Sequence, residues 1–441
     1  MKLVPRHYQL AAIDKALASE HRRILIVSPG ASGKTLIEAL LARHFRRRGK
    51  RVLWVLPRRE TLHQAVAHAQ AVGLRNFGVM IYGTEPTPTA RLQIATSSTV
   101  LVREPFKADV VLWDEAHHMV AEGAMALSKH YSRALHYGLT ATPIRLDGKG
   151  LDEFYDEMLI AAQPSELIGE RLISVPRIFC PDVPDLSSIR VRDNDYEPQA
   201  LGEMMGTDGL VGNVLEHWQK HARGRRTVGF AVTREHSMRL CARFAAAGVR
   251  AAHIDGSTSP AVRDRTLRAF ERGQIQVLWN CMVLSEGWDV PSCRVAILAR
   301  PTMSLQLTLQ QCNRVARVFE YDRPLILDHA GNVLRHGLPY ADRNYTLSGT
   351  ASDVAGAAPS RRCPECHAAN HLAAKVCVEC GHEFWNIEDK LAESADLLME
   401  LTKQRLLERR EKIVAFAKTK GFPDDWTEAV LSRWSAIEAH G

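Results

Sequence analysis

Short β-branched and aromatic runs alternate along this chain with stretches whose apolar residues recur every three or four positions. One series of runs falls at 24–27, 52–56, 93–96, 110–113 and 137–139; a second falls at 227–231, 251–254, 276–279, 295–298 and 325–327. Apolar runs of this length, separated by amphipathic helices, are the pattern of parallel strands buried on both faces and covered by crossover helices. The chain is therefore read as α/β, with two parallel-sheet lobes. Between the two series, 175–195 carries Pro176, Pro181 and Pro184 among polar residues without periodicity, and reads as linker or inserted surface structure. A second break falls at 347–360, where Ser348, Gly349, Thr350, Gly356 and Pro359 interrupt the pattern. These breaks give lobes at 1–165 and 166–345, a linker at 346–360 and a cysteine-rich unit at 361–385. The tail at 386–441 has apolar residues at helical spacing, interrupted at Gly421-Phe422-Pro423, and reads as a helix pair.

Composition agrees with this division. A chain of 441 residues exceeds what one core usually supports, and 46% apolar residues suffice to fill more than one. Lys plus Arg total 57 against 50 for Asp plus Glu; the resulting +7 favours polyanionic partners without requiring them. Met1 to Arg6 open no apolar stretch of signal-peptide length, and no later segment reaches membrane-spanning length, so a soluble, cytoplasmic protein without a membrane partner is expected. Of nine cysteines, four form two tight pairs near the C-terminus and five are scattered, which argues against a disulfide framework.

The first run ends in Ser28-Pro29-Gly30-Ala31-Ser32-Gly33-Lys34-Thr35, directly before a helical stretch. Backbone N–H groups of such a loop and the helix start can surround a phosphate, while Lys34 neutralises charge and the Thr35 hydroxyl ligates magnesium. Ser28 stands where the phosphate-loop pattern begins with glycine. The run at 110–113 ends in Asp114-Glu115-Ala116-His117. Asp114 would hold magnesium, directly or through water, and Glu115 would orient or deprotonate the attacking water, because phosphoryl transfer relies on positioning and charge neutralisation. An acidic pair after a strand is often only solvated loop; its pairing with the phosphate loop gives it weight. A nucleoside triphosphate and Mg2+ are thus the expected ligands.

With Asp114-Glu115-Ala116-His117 as the box, the chain resembles superfamily 2 helicases of the DEAD/DEAH type. Pro5-Arg6-His7-Tyr8-Gln9 is similar to the family element in which a glutamine, here Gln9, recognises adenine. The segments 56–62 and 95–98 resemble its nucleic-acid-contacting motifs, which implies Arg58, Thr96 and Ser97. Gly138-Leu139-Thr140-Ala141-Thr142-Pro143 resembles the motif that couples hydrolysis to movement. Ser285-Glu286-Gly287-Trp288-Asp289-Val290-Pro291 and Gln310-Gln311-Cys312-Asn313-Arg314-Val315-Ala316-Arg317 resemble the fifth and sixth motifs. The resemblance implies nucleotide contacts from Gly287 and Asp289, a catalytic role for Gln310, and phosphate contacts from Arg314 and Arg317, with Arg317 the arginine finger. Two arginines three apart share a helix face and could do this, although alone they would read as a solvated face. The chain departs from the pattern twice: Asn313 stands where the sixth motif usually has glycine, and Gly30-Ala31 stands where the loop commonly has threonine then glycine.

Cys363-Pro364-Glu365-Cys366 and Cys377-Val378-Glu379-Cys380 form two CxxC knuckles. Four thiolates at this spacing can close a tetrahedral Zn2+ site that folds a segment too short for its own core; an iron-sulfur cluster stays open, and a redox dithiol would not need two knuckles. A box-bearing motor followed by such a ribbon resembles the RadD-like bacterial helicases and related phage-encoded proteins, a likeness that Asp328-His329-Ala330-Gly331-Asn332 strengthens. It implies DNA, single-stranded or branched, rather than RNA, with work in repair, recombination or replication. The ribbon could bind DNA, grip a protein partner, or brace the motor. A duplex translocase that separates no strands, an RNA helicase and a nucleic-acid-binding scaffold with a weakened ATPase are the rival readings. The basic segments 46–51 and 223–226 each precede a run and are read as solvated loops away from the site.

Overall fold

A computed structural model describes residues 3–81, 84, 87, 89–103, 106–145, 149–181, 183–284, 290–319, 322–349 and 359–384, with 411, 414, 415, 418, 419 and 428. Residues 350–358 and most of 385–441 lie outside this description, and with them the middle of the second break and the expected helix pair. The chain divides into two compact units, 1–372 with 378–380, and 373–377 with 381–441. Both large sheets belong to the first unit. Among the described residues no helix is long and apolar enough to cross a membrane.

The first sheet contains β1 (Arg23–Val27), β2 (Val52–Leu56), β3 (Gly78–Met80), β4 (Leu92–Thr96), β5 (Val110–Trp113), β6 (Leu135–Thr140) and β7 (Glu157–Ile160). Its order is β3-β4-β2-β5-β6-β1-β7, with parallel pairing throughout. Strand residues alternate between faces, so Ile24, Ile26 and Trp54 pack under Ile37, Leu41 and Phe45 of the helix Lys34–Arg47. Leu25, Val27, Leu53 and Val111 face the other way, under Leu127, Tyr131 and Tyr155. Each large side chain buried this way stabilises by about 1.5–3 kcal/mol.

The second sheet contains β8 (Arg177–Phe179), β11 (Thr227–Ala231), β12 (Ala251–Ile254), β13 (Val277–Asn280), β14 (Val295–Ala299) and β15 (Leu325–Asp328); a two-stranded hairpin, β9 (Val191–Arg192) and β10 (Asp195–Tyr196), follows β8. The order is β12-β13-β11-β14-β15-β8, again all parallel. The stretch 175–195, expected to be linker or inserted surface structure, thus holds an edge strand of this sheet and a hairpin. β8 is three residues long and flanked by Pro176 and Pro181, which sit where no ladder N–H is needed. Its register comes from pairing with Leu325–Leu327, a long-range constraint with no local signature.

Apolar contact joins the lobes through Ile144, Leu305 and Leu309, with Tyr345 packed against them. After the helix Asn332–His336 the chain returns to the first lobe, where Asp342 Oδ1 accepts from Ser165 N at 2.9 Å and Leu347 O accepts from Leu151 N at 2.7 Å. Beyond it, a hairpin of β16 (Ser360–Arg362) and β17 (Ala369–His371) carries the first cysteine knuckle.

Candidate nucleotide cleft and nucleic-acid rim

The chain leaves β1 at the carboxyl end of the first sheet, where Ser28 N donates to Thr140 O at 2.9 Å. Ser28 Oγ and Ser32 Oγ lie 2.7 Å apart and both residues are fully buried, so the serine at the unusual loop start ties the loop to itself. Ala31 (φ 62) and Gly33 (φ 85) turn the backbone through the left-handed region, which costs Ala31 about 1–2 kcal/mol. The helix Lys34–Arg47 then begins at Gly33 with no capping side chain, a helix start suited to an anion. Gln9 is buried against this loop: its Oε1 accepts from Arg6 N at 2.9 Å, and its Nε2 donates to Ser32 O at 3.0 Å and Gly33 O at 3.3 Å. The Tyr8 hydroxyl also donates to Ser32 O.

At the end of β5, Asp114 Oδ1 accepts from Glu115 N at 2.9 Å, and Glu115 takes φ 47. That turn aims Glu115 at Lys34, with Nζ 3.9 Å from Oε1, and at His117, with Nδ1 3.6 Å from Oε2. His117 Nδ1 also lies 2.9 Å from Thr140 Oγ1, and its Nε2 lies 3.4 Å from Gln310 Nε2 of the second lobe. Gln310 O accepts from Arg314 Nε at 3.2 Å. Lys34, Thr35, Asp114 and Glu115 line one wall of a cleft whose opposite wall carries Gln310, Arg314 and Arg317. A lysine, a hydroxyl, carboxylates and an uncapped helix start facing two arginines suit a polyphosphate with its divalent cation.

Glu38, one helical turn beyond Lys34, is fully buried, and neither carboxyl oxygen has a hydrogen-bond partner of good geometry. Burial pushes its carboxyl well above the usual range; the charge of Asp114 adds to the rise and Lys34 opposes it. Glu38, His117, Tyr8 and Asn313 were not picked out from the sequence as site residues. His117 has a signal as the last letter of its box, Tyr8 as a member of the Gln9 element and Asn313 as a departure from the sixth motif; Glu38 takes its place through tertiary contacts alone.

Arg58 and Ser97 meet at a second pocket, walled by Leu101, Trp113 and His118, which adjoins Asp114 and Glu115. Arg58 Nη1 donates across to Met282 O in the second lobe at 3.4 Å. Thr96 is placed differently: it is buried, and its hydroxyl lies 2.9 Å from Thr99 Oγ1. Gly287 and Asp289 lie outside the described residues. The basic segments attach to backbone carbonyls and acids at strand amino ends: Arg51 Nε donates to Lys107 O at 2.7 Å, and Arg225 pairs with Asp322 at 2.7 Å.

The ligand sulfurs of Cys363, Cys366, Cys377 and Cys380 all lie within 4.8 Å of one another, a cluster that suits a tetrahedral metal. Beside it, Glu379 accepts from Arg177 Nε of β8 at 2.7 Å and lies 3.5 Å from Arg323 Nη1. Phe179 pairs with Ala368 and Cys180 N donates to His367 O at 2.8 Å, so the first knuckle covers the edge of the second sheet.

A two-lobed parallel α/β architecture with a phosphate loop on one lobe and arginines on the other defines a nucleic-acid-dependent motor class, and comparison with known proteins agrees. Residues 2–145 match the family described as type III restriction enzyme, res subunit, and residues 209–319 match the helicase conserved C-terminal domain. A 51.5 kDa protein of a Lactococcus phage is 30% identical over 94% of this chain and 88% of its own. A candidate mitochondrial ATP-dependent helicase, irc3, of Schizosaccharomyces pombe is 27% identical over 80% of this chain and 61% of its own. Two solved structures share the fold. The type ISP restriction-modification enzyme LlaBIII bound to DNA has a TM-score of 0.56 at 16% identity, covering 77% of this chain and 29% of that one. Dbp5 of Saccharomyces cerevisiae bound to RNA and ADP BeF3 has a TM-score of 0.56 at 15% identity, covering 75% and 86%. The chain belongs to the superfamily 2 helicases and is an ATP-hydrolysing helicase of that family.

Proposed function

We propose that this helicase is an ATP-driven motor on DNA, moving along or unwinding it. The observation that carries the reading is the single cleft in which Lys34, Asp114 and Glu115 face Gln310, Arg314 and Arg317. Ser28, Gly30, Ser32 and Gly33 shape the loop around the phosphates and Lys34 neutralises them; Thr35 and Asp114 hold magnesium, which when bound draws charge from the phosphates. Glu115 orients the attacking water, and His117, held between Glu115 and Gln310, passes the state of one lobe to the other. Arg314 and Arg317 meet the charge that develops on the transferred group, and Gln9 reports adenine occupancy to the loop it holds. Gly287 and Asp289 are assigned by resemblance alone.

The positive net charge and the rim shared by Arg58 and Ser97 suit either nucleic acid, and structures of the same fold carry DNA and RNA; DNA is preferred on the resemblance to the RadD-like helicases. Repair, recombination or replication is the corresponding process. The domain limits we propose are 1–165, 166–345, 361–385 and 386–441 around a linker at 346–360. The cysteine cluster is assigned Zn2+, and its ribbon, or the tail, is the place for a protein partner. A cytoplasmic setting is proposed on the cysteine pattern of the sequence, four in two tight pairs and five scattered. ATP turnover measured with single-stranded DNA, duplex, forks and RNA tests the reading, with Lys34→Ala and Glu115→Gln as controls. Absence of stimulated turnover with every nucleic acid would overturn it, and stimulation by RNA alone would move the substrate. Strand displacement beside turnover separates unwinding from translocation on intact duplex.

A further inference from the structure

The phosphate loop touches the second lobe at Gly30. A Cβ built on Gly30 would lie 2.1 Å from Asn313 Cγ, 2.2 Å from Nδ2 and 2.6 Å from Cβ. The last distance is decisive, because Asn313 Cβ is fixed to the backbone and no rotation of the amide removes the clash. Gly30 does not have a positive φ, so its backbone conformation does not demand glycine; the space does. Asn313 caps the helix Leu305–Cys312 and opens the short 3-10 segment Asn313–Val315 that carries Arg314. The same turn presents Gln310 to His117 and lines the cleft with Arg314 and Arg317.

We propose that Asn313 is a positioning residue whose side chain seats the second lobe on the phosphate loop, and that Gly30 is the socket that receives it. Close-packed contacts are steep in distance, so this one fixes how near the arginine-bearing turn comes to the loop, and hence how far Arg314 and Arg317 reach. Gly30 and Asn313, one from each departure from the family pattern, are then linked, while Ala31 has no explanation in this contact. A small residue in the loop compensates for a larger one across the cleft. The inference rests on the reading of the cleft as the ATP site and adds a contact to it.

The test is a double-mutant cycle in the full chain with Gly30→Ala, Asn313→Gly and the pair, reading DNA-stimulated turnover, KM for ATP and thermal unfolding. Gly30→Ala should lower kcat by about tenfold or more, because even a Cβ displaces the seated turn. Asn313→Gly should lower kcat by about fivefold while KM for ATP stays within about twofold, the split expected when nucleotide binds but the arginines are poorly placed. The pair should return to the level of Asn313→Gly alone. Losses that multiply in the pair, or a Gly30→Ala protein with wild-type kcat, would overturn the proposal. A wild type without turnover sinks the ATP-site reading instead. The unfolding cycle then still reads the contact: recovery of the Gly30→Ala loss in the pair retains it, and additive shifts remove it.

Discussion

The two sheets share one strand order but carry different chemistry at their carboxyl ends. Set side by side, β3-β4-β2-β5-β6-β1 matches β12-β13-β11-β14-β15-β8 position for position. In the first lobe β1 leads into the phosphate loop, and β5 ends at Asp114 and Glu115. In the second, the matching strand β8 is three residues long and leads to a hairpin, while β14 ends at Ala299 before Arg300. The helices after β2 and β11 also differ. Arg59–Ala71 starts at Arg58 with no capping side chain, whereas Arg234–Ala246 starts at Thr233, whose hydroxyl accepts from His236 N at 3.2 Å. At these matching positions the first lobe leaves the helix start without a side-chain cap and the second closes it. One architecture thus supplies a binding lobe and a lobe that brings arginines to it.

The sharpest break of this division comes from paired variants. Lys34→Ala should abolish both binding of a fluorescent ATP analogue and turnover, whereas Arg317→Ala should cut turnover by about a thousandfold and leave analogue binding within about threefold. Equal loss of analogue binding in the two variants would mean that both lobes bind, and the division would fail.

A smaller effect separates two strand-terminal aspartates. Asp114 lines the cleft, while Asp328 at the end of β15 is fully buried and accepts from Ala330 N at 3.1 Å and Val333 N at 2.7 Å. Asn332 completes that turn: its Oδ1 accepts from Thr302 N at 3.0 Å and its Nδ2 donates to Arg300 O at 2.9 Å. Asp328→Ala should lower unfolding stability by about 2–4 kcal/mol by stranding two buried N–H groups. Asp114→Ala should change stability by under about 1 kcal/mol while removing magnesium-dependent turnover. Urea titration beside turnover decides between them; comparable destabilisation by both would erase the distinction.

The strands legible in the sequence are the central ones, whose apolar runs must satisfy two buried faces at once, together with the edge strand β12, which the run at 251–254 marks. β3, β7 and β8 carry no such signal because these edge strands are only three or four residues long, and the partners of β7 and β8 lie far along the chain. For β7 the pairing joins Glu157–Ile160 to Ile24–Val27. Lys34, Asp114 and Glu115 were legible because local backbone geometry dictates their spacing. Glu38 looks like one polar residue of an amphipathic helix, and nothing in the sequence marks the side chain as buried beside Asp114. The seat between Gly30 and Asn313 was visible only as two separate oddities, since the contact joins residues from different lobes.

The smallest predicted difference between the lobes is in acid. Burial holds His136 in the first lobe, and His236 and His336 in the second, down to about 4. Each is spent as a neutral ring: His136 Nδ1 accepts from Trp113 Nε1 at 3.0 Å, His236 Nδ1 accepts from Val232 N at 3.4 Å, and His336 Nε2 donates to Thr302 O at 2.9 Å. An unfolded histidine takes up its proton near pH 6.5, so between about 6.5 and 4 the unfolded state binds more protons and stability falls with pH. The contribution is complete above the unfolded value and shrinks as pH drops, by about 1–2 kcal/mol per ring at pH 5. Each lobe also holds one carboxyl raised by burial, Glu38 and Asp328, which favours the folded state in acid, and Glu38 in the first lobe is raised further. With two such rings against one, the second lobe should open first. Hydrogen exchange at pH 7.5 and pH 5 reads this directly, after correction for the intrinsic rates. Amides of β11 and β14 should lose more protection than those of β1 and β5, and His336→Gln should narrow the gap. Equal losses in both sheets would show that acid lability is not set by these rings.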